Sequence, residues 1–319
     1  MVGTRAGKQF RYFNGYVEAQ ANEIDVLVCD EAHRIRPNSV DRYRPMKKSG
    51  KTQVEELIDA AKVSVFLLDD LQVVRPGEVG SCDLIRSAAV ARHARVVEFE
   101  LEAQFRCNGS DGFINWIDNT LGIRRTANVL WDGSDPFEFR ILNSVGDLDQ
   151  AIRAKHLLGY TSRLVAGFCW PWSDPVDGSL VDDVVVGNWS MPWNARPDST
   201  RLGPGIPKSH YWSSDPNGID QVGCVYTAQG FEFDYCGVIF GRDLRYDPAT
   251  SQWIGDKKTS EDTVVKRSDP DRFVDLVKNT YRVLLTRGMK GCYVYFMDDE
   301  TRKFVQSRIE KLESAANVR

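Results

Sequence analysis

Ile24 to His33 reads IDVLVCDEAH, an apolar run that ends in two adjacent carboxylates, Asp30 and Glu31. An Ile/Val/Leu run without polar alternation is the pattern of a strand buried on both faces of a parallel sheet. Parallel strands need crossover connections, usually helical, so this one segment commits the chain to an α/β architecture. It also delivers both acids at the carboxyl end of a strand, where open α/β sheets keep their ligand crevices.

The residues that follow extend this pattern. A polar, basic loop from Arg34 to Gly50 leads into TQVEELIDAA, where Thr52 and Glu55 have capping-box spacing and Val54, Leu57, Ile58 and Ala61 form one apolar helical face. The run VSVFLLDDLQ, Val63 to Gln72, then predicts a second buried strand that ends in Asp69, Asp70 and Gln72. Strand, helix, strand over this short distance is a βαβ unit. A helix from Ser81 to His93 and a strand over Val96 to Leu101 continue the alternation. Glu102 to Gly122 reads as a link into a second unit, with a helix from about Asp111. Further strands are expected in Arg163–Trp170, Gln221–Tyr226, Tyr235–Gly241 and Cys292–Met297. The boundary falls between residues 103 and 104, giving domains 1–103 and 104–319. Pro171 to Asp220, rich in Pro, Gly, Asp and Trp, reads as an ordered insertion over about 170–220, because disordered segments are poor in aromatics.

Composition narrows the function classes. With 319 residues and 42% hydrophobic content, the chain has enough material for a large core. Its seven cysteines are scattered and include no C-x-x-C pair, which implies reduced thiols in a cytoplasmic protein rather than a disulfide frame or zinc site. The four histidines are isolated, so no transition-metal site is expected. No segment approaches the 18 apolar residues of a membrane span. A net charge of −4 leaves nucleic acid possible as a partner, since a basic groove can sit on an acidic chain.

Four more segments follow the DEAH sequence in order: DDLQ at Asp69–Gln72, QFR at Gln104–Arg106, YTAQGFEF at Tyr226–Phe233 and YRVLLTRG at Tyr281–Gly288. Together the five resemble motifs II to VI of superfamily 1 helicases, which are P-loop NTPases. EAQFRCNGSDGFINWID and KNTYRVLLTRGMKGCYVYF resemble more specifically the Schlafen group 3-like DNA/RNA helicase family of bacteria, over about Val2 to Glu310. The resemblance implies two RecA-like parallel-sheet units, the first truncated at its N-terminus, that bind ATP and Mg²⁺ between them and act on DNA or RNA, with single strands as the expected form.

The same resemblance implies roles for named residues. Asp30 would hold Mg²⁺ and Glu31 would orient the attacking water. Gln72 would sense the γ-phosphate, and Arg106 and Arg287 would be arginine fingers that stabilise charge on the transferring phosphoryl group. Gly230 and Glu232 would lie against the nucleotide, Gly230 by close backbone approach and Glu232 by accepting from a ribose hydroxyl. Thr227 and Gln229 would contact nucleic acid, Thr227 through a phosphate.

Plainer readings stand beside these. Asp69 and Asp70 can be turn caps, Arg287 a cation at a helix end, His33 a loop-steadying hydrogen-bond partner, and Tyr281 a packing residue. Tryptophans near Arg and Lys, as in PWNAR and PKSHYW, can stack bases or form a hydrophobic satellite beneath a long loop. SGKT at Ser49–Thr52 copies the tail of a phosphate-binding loop, but Pro45 stands where the first glycine of G-x-x-x-x-G-K-[ST] belongs. None of the 23 residues before Ile24 supplies that loop either. The expectation is therefore a helicase-like module that does not hydrolyse ATP by itself, with an N-terminal segment as the source of the missing loop. The rival expectation is a non-catalytic module that holds nucleic acid or protein on the same fold.

Overall fold

A computed structural model describes residues 9–39, 49–100, 106–133 and 136–310, apart from the side chains of Arg106 and Asn108. The chain divides into two units, Met1–Glu100 and Leu101–Arg319. Both are built on parallel strands, as an α/β fold requires.

In the first unit β1 (Ile24–Cys29) pairs in parallel with β2 (Ala61–Phe66), with Val26 opposite Val63 and Val28 opposite Val65. The crossover helix Gln53–Ala60 starts at Thr52 with the expected capping box, and Val54, Leu57 and Ala60 bury its inner face against Leu27 and Cys29. Burial of a leucine such as Leu57 contributes roughly 1.5–3 kcal/mol. A second helix, Cys82–Ala91, capped by Ser81, adds Leu84, Ile85 and Ala88 to the same layer. Arg92 fastens the two helices by pairing with Asp59 at 2.6 Å and Glu55 at 3.0 Å.

The first unit departs from the sequence reading in three places. Among the described residues the β1–β2 pair is covered on one face only, and Val26 and Val28 are 57% and 58% exposed on the other. β2 stops at Phe66, so Gln72 lies in a separate 3₁₀ turn, Asp70–Gln72, and not at a strand tip. Val96 to Glu100 forms no strand, and Leu101 lies outside the described residues. A strand forms only where a neighbour takes its backbone bonds, and β propensity alone does not provide one.

The second unit holds a five-stranded, all-parallel sheet in the order β3 (Glu138–Ile141), β11 (Gly288–Phe296), β8 (Phe233–Phe240), β4 (Ser162–Ala166), β7 (Val222–Gly223). Two hairpins sit outside it, β5 (Val184–Val186) with β6 (Trp189–Met191), and β9 (Leu244–Asp247) with β10 (Gln252–Gly255). Both faces of the large sheet are covered, which is why β4 is buried at every position. On one face, Leu148 and Ile152 of helix Val145–Leu157 pack on Leu164, Ile239 and Tyr293. Gly237 allows that approach, since a Cβ there would lie 2.6 Å from Ile152. On the other face helix Pro270–Leu285 stacks Tyr281 on Phe240, ring centroids 3.7 Å apart.

The expected strand over Gln221–Tyr226 is cut short at Gly223, because Val225–Ala228 closes into a helical turn. Met297 likewise falls just outside β11. The tryptophan-rich insertion is an extension of the core. Trp193 and Trp212 are fully buried, and the indole N–H groups of Trp170, Trp172, Trp193 and Trp212 each donate to a backbone carbonyl. The satellite-core reading therefore holds, and Trp193 has no exposed ring for a base to stack on. Among the described residues no helix is long and apolar enough to cross a membrane.

Candidate functional site

The acidic turn after β1 is held in an uncommon conformation. Glu31 has φ 53° and ψ 42°, a left-handed backbone that residues with a Cβ adopt rarely and that recurs at functional sites. Local bonds fix it: the Asp30 carboxylate accepts the Glu31 N–H at 2.9 Å, and the Glu31 carbonyl accepts the Arg34 N–H at 2.9 Å. The Glu31 carboxylate lies 3.1 Å from Nε2 of His33, which is buried. Asp30 is exposed. It fits the carboxylate of a Mg²⁺ site, because that ion takes one or two protein carboxylates and completes its shell with phosphate and water.

Main-chain bonds join this turn to the next motif. The Ala32 N–H donates to the Leu67 carbonyl at 2.8 Å, and the Leu67 N–H donates to the Cys29 carbonyl at 2.9 Å. The segment that follows leads to Gln72, which is buried and whose amide donates to Asp69 Oδ2 at 3.1 Å. Asp69 also caps the turn by accepting the Leu71 N–H. The chain then folds back over the acidic turn. The Val79 N–H donates to the Ile35 carbonyl at 2.7 Å, and a Cβ on Gly80 would fall 1.9 Å from the Ala32 carbonyl oxygen. Gly80 is a positioning residue that no local sequence pattern marked; the signal was tertiary.

Ser49–Thr52 offers no phosphate cradle. The Thr52 N–H donates to Glu55 at 2.7 Å, Ser49 bonds Glu56, and the Lys51 ammonium pairs with Asp59 at 2.6 Å. The carboxylate of Glu55 already occupies the anion position at this helix N-terminus.

In the second unit the segment Thr227–Glu232 begins inside the short helix Val225–Ala228, just after β7. The Thr227 hydroxyl is buried inside its own cap, accepting the Cys224 N–H at 3.1 Å and lying 3.0 Å from Asn194 Oδ1. Asn194, from the insertion, is a partner that sequence reading missed. Gln229 is also buried, and Gly230 adopts φ +89°, a left-handed conformation suited to glycine. Glu232 is exposed.

Arg287 is 1% exposed, and its guanidinium donates to the Val283 carbonyl at 3.0 Å and the Phe231 carbonyl at 3.2 Å. In this arrangement it is a buried helix-end cation, so service as an arginine finger would require it to leave those carbonyls. Arg106 begins the 3₁₀ turn Arg106–Gly109, but its side chain lies outside the described residues, as does Gln104. Tyr281 is a packing residue with a polar anchor: its hydroxyl donates to Asp243 Oδ1 at 2.5 Å and accepts the Gly241 N–H at 2.8 Å. Burial raises the Asp243 carboxyl above the ordinary range, against the bonds from Tyr281 and Cys169, and drives the Tyr281 hydroxyl well above its own.

The family model described as Schlafen group 3, DNA/RNA helicase domain matches residues 3–298. An uncharacterized protein of Saccharomyces cerevisiae is 27% identical over 304 residues, a span that covers 88% of this chain and 64% of the yeast protein. The likeness thus reaches a eukaryote and is not confined to the bacteria named in the sequence reading. The chain spans less than two thirds of the length of that curated relative.

Proposed function

The chain belongs to the Schlafen group 3, DNA/RNA helicase domain family, and from that premise we propose that it is the helicase-like part of an ATPase that acts on single-stranded DNA or RNA. The observation that carries this reading is the left-handed Asp30–Glu31 turn at the end of β1, tied through Ala32 and Leu67 to the segment of Gln72. Asp30 would hold Mg²⁺, which supplies charge neutralisation at the phosphates. Glu31, with His33 beside it, would orient the attacking water, and Gln72 would report the state of the phosphates. Thr227, Gln229, Gly230 and Glu232 would supply the nucleic-acid and nucleotide contacts of the second unit, and Arg106 and Arg287 the finger cations, Arg287 on leaving the Val283 and Phe231 carbonyls.

The phosphate-binding loop is the missing part, and we place it in an N-terminal segment of a longer polypeptide. In such a polypeptide Glu31→Gln should abolish ATP turnover while ATP binding persists, because only the water-orienting carboxylate is lost. Unchanged turnover removes Glu31 from the chemistry and this reading with it.

The second reading is a module that binds without turnover. The filled helix N-terminus at Thr52–Glu55 and the inward guanidinium of Arg287 favour it. Oligonucleotide binding measured by fluorescence anisotropy, with no ATP turnover in any length of the polypeptide, is its signature.

A further inference from the structure

The tryptophan-rich insertion carries a cleft of about 290 Å³, near the low end of small-ligand sites, with Leu180, Pro192, Pro204 and Ile206 as its apolar walls. Gln221, in the same lining, is 3% exposed, and its Oε1 is buried with no hydrogen-bond partner among the described residues. A buried acceptor without a donor is costly, and a few polar groups converging in an apolar cleft mark a ligand site. The amide nitrogen beside that oxygen carries two donors. Gln221 therefore offers a ligand a donor and an acceptor side by side, whichever way the amide is turned.

The cleft is built in advance of any ligand. Arg163, 2% exposed, donates to the Trp212 carbonyl at 3.0 Å and the Asp215 carbonyl at 2.6 Å, which fixes the turn Pro216–Asp220 that leads to Gln221. A Cβ on Gly218 in that turn would fall 2.1 Å from the Trp212 carbonyl oxygen. The Val222 N–H donates to the Pro192 carbonyl at 2.9 Å and sets that wall beside Gln221. The Gly203 N–H donates to the Gly178 carbonyl at 2.7 Å and ties the Pro204 side to the Leu180 side. A preformed site loses little binding energy to ordering.

Chemistry narrows the ligand. Apolar walls that include two proline rings suit the faces of a heteroaromatic ring, and a glutamine amide pairs in bidentate fashion with the adjacent acceptor and donor of adenine. Guanine, with two neighbouring donors on its edge, calls for a carboxylate; Asp220, the one carboxylate in the lining, is held by Arg153 at 2.7 Å. We propose that the cleft takes one unstacked adenine base, with Gln221 on its hydrogen-bonding edge and the proline and isoleucine walls against its faces. A single strand and a free adenine nucleotide present the same base. Through β7, Gln221 leads directly to the helix that carries Thr227. The strand as source rests on the nucleic-acid role proposed for that segment; the adenine site itself does not.

Fluorescence anisotropy on residues 1–319 with labelled oligoadenylate, oligouridylate and oligocytidylate, and calorimetric titration with adenosine monophosphate, test this. Oligoadenylate should bind roughly 10-fold more tightly than the other two strands. Gln221→Leu should remove that preference without lowering the melting temperature, because the amide has no protein partner to lose. Ile206→Trp, which fills the cleft, should have the same effect on binding. Loss of the preference with no binding of the mononucleotide assigns the site to a strand. Mononucleotide binding that Gln221→Leu removes, with no strand bound, assigns it to a free nucleotide and removes the nucleic-acid reading instead. Strands that bind without an adenine preference keep the nucleic-acid reading and overturn the adenine site. Adenine binding that survives both substitutions, a large fall in the melting temperature of Gln221→Leu, or no binding of any probe also overturns it.

Discussion

The Arg287 guanidinium donates to the Phe231 carbonyl, so the two segments that carry most of the second unit's candidate residues are tied through a buried cation. Hydrogen bonds to charged groups contribute about 1.5–3 kcal/mol, and Arg287 donates to the carbonyls of both Val283 and Phe231. Arg287→Ala should therefore lower the urea unfolding free energy of residues 1–319 by about 3 kcal/mol. A loss below about 0.5 kcal/mol, typical of surface positions, would show that the side chain is not held inward.

Gly80 gives the acidic turn its shape from the outside. A methyl group there meets the Ala32 carbonyl far inside contact distance. Gly80→Ala should cost about 1–3 kcal/mol in urea unfolding, as overpacking does, and shift the amide resonances of residues 30 to 33. If neither changes, the segment around Gly80 does not brace the turn.

Asp243 makes stability depend on pH in a definite direction. Its folded pKa is raised by burial above the unfolded value near 3.9, so the folded state binds the proton more tightly. The stability this confers is complete below the unfolded pKa and drains away as pH rises through the folded one. Asp243→Asn keeps an acceptor for the Tyr281 hydroxyl without a charge, and it should gain on the parent in melting temperature as pH increases from 4 toward 8. A constant difference across that range would mean that Asp243 does not titrate with folding.

Trp193 separates core from binding surface. It is buried among Phe168, Trp170 and Trp172. Trp193→Ala should destabilise by about 3–5 kcal/mol, and any loss of oligonucleotide binding should follow the unfolded fraction. A folded, stable variant that binds an oligonucleotide tenfold more weakly would restore the ring as a stacking platform.

How far the sequence carried differs with the range of the interaction. Thr52 and Glu55 signal their helix locally, and IDVLVC gives β1, because caps and apolar runs are written in neighbouring residues. Helix Val145–Leu157 escaped notice because its buried face is little more than Val145, Leu148 and Ile152. The run around Val225 reads as a strand but turns helical, since Thr227 closes a cap on Cys224. Val96 to Glu100 has strand composition but pairs with no strand among the described residues. The bonds that shape the candidate sites, Arg287 to Phe231 and Tyr281 to Asp243, span tens of residues, as the approach of Gly80 to Ala32 also does, and no periodicity encodes them.

The most direct test is steady-state ATP turnover with and without single-stranded nucleic acid, measured on residues 1–319 and on the longer in-frame polypeptide. The account predicts no turnover from residues 1–319, and stimulated turnover from the longer chain that Glu31→Gln abolishes. Robust turnover by residues 1–319 that Glu31→Gln removes would contradict the claim that the acidic turn needs a phosphate-binding loop from outside these residues. Absence of turnover at both lengths would contradict the ATPase assignment itself.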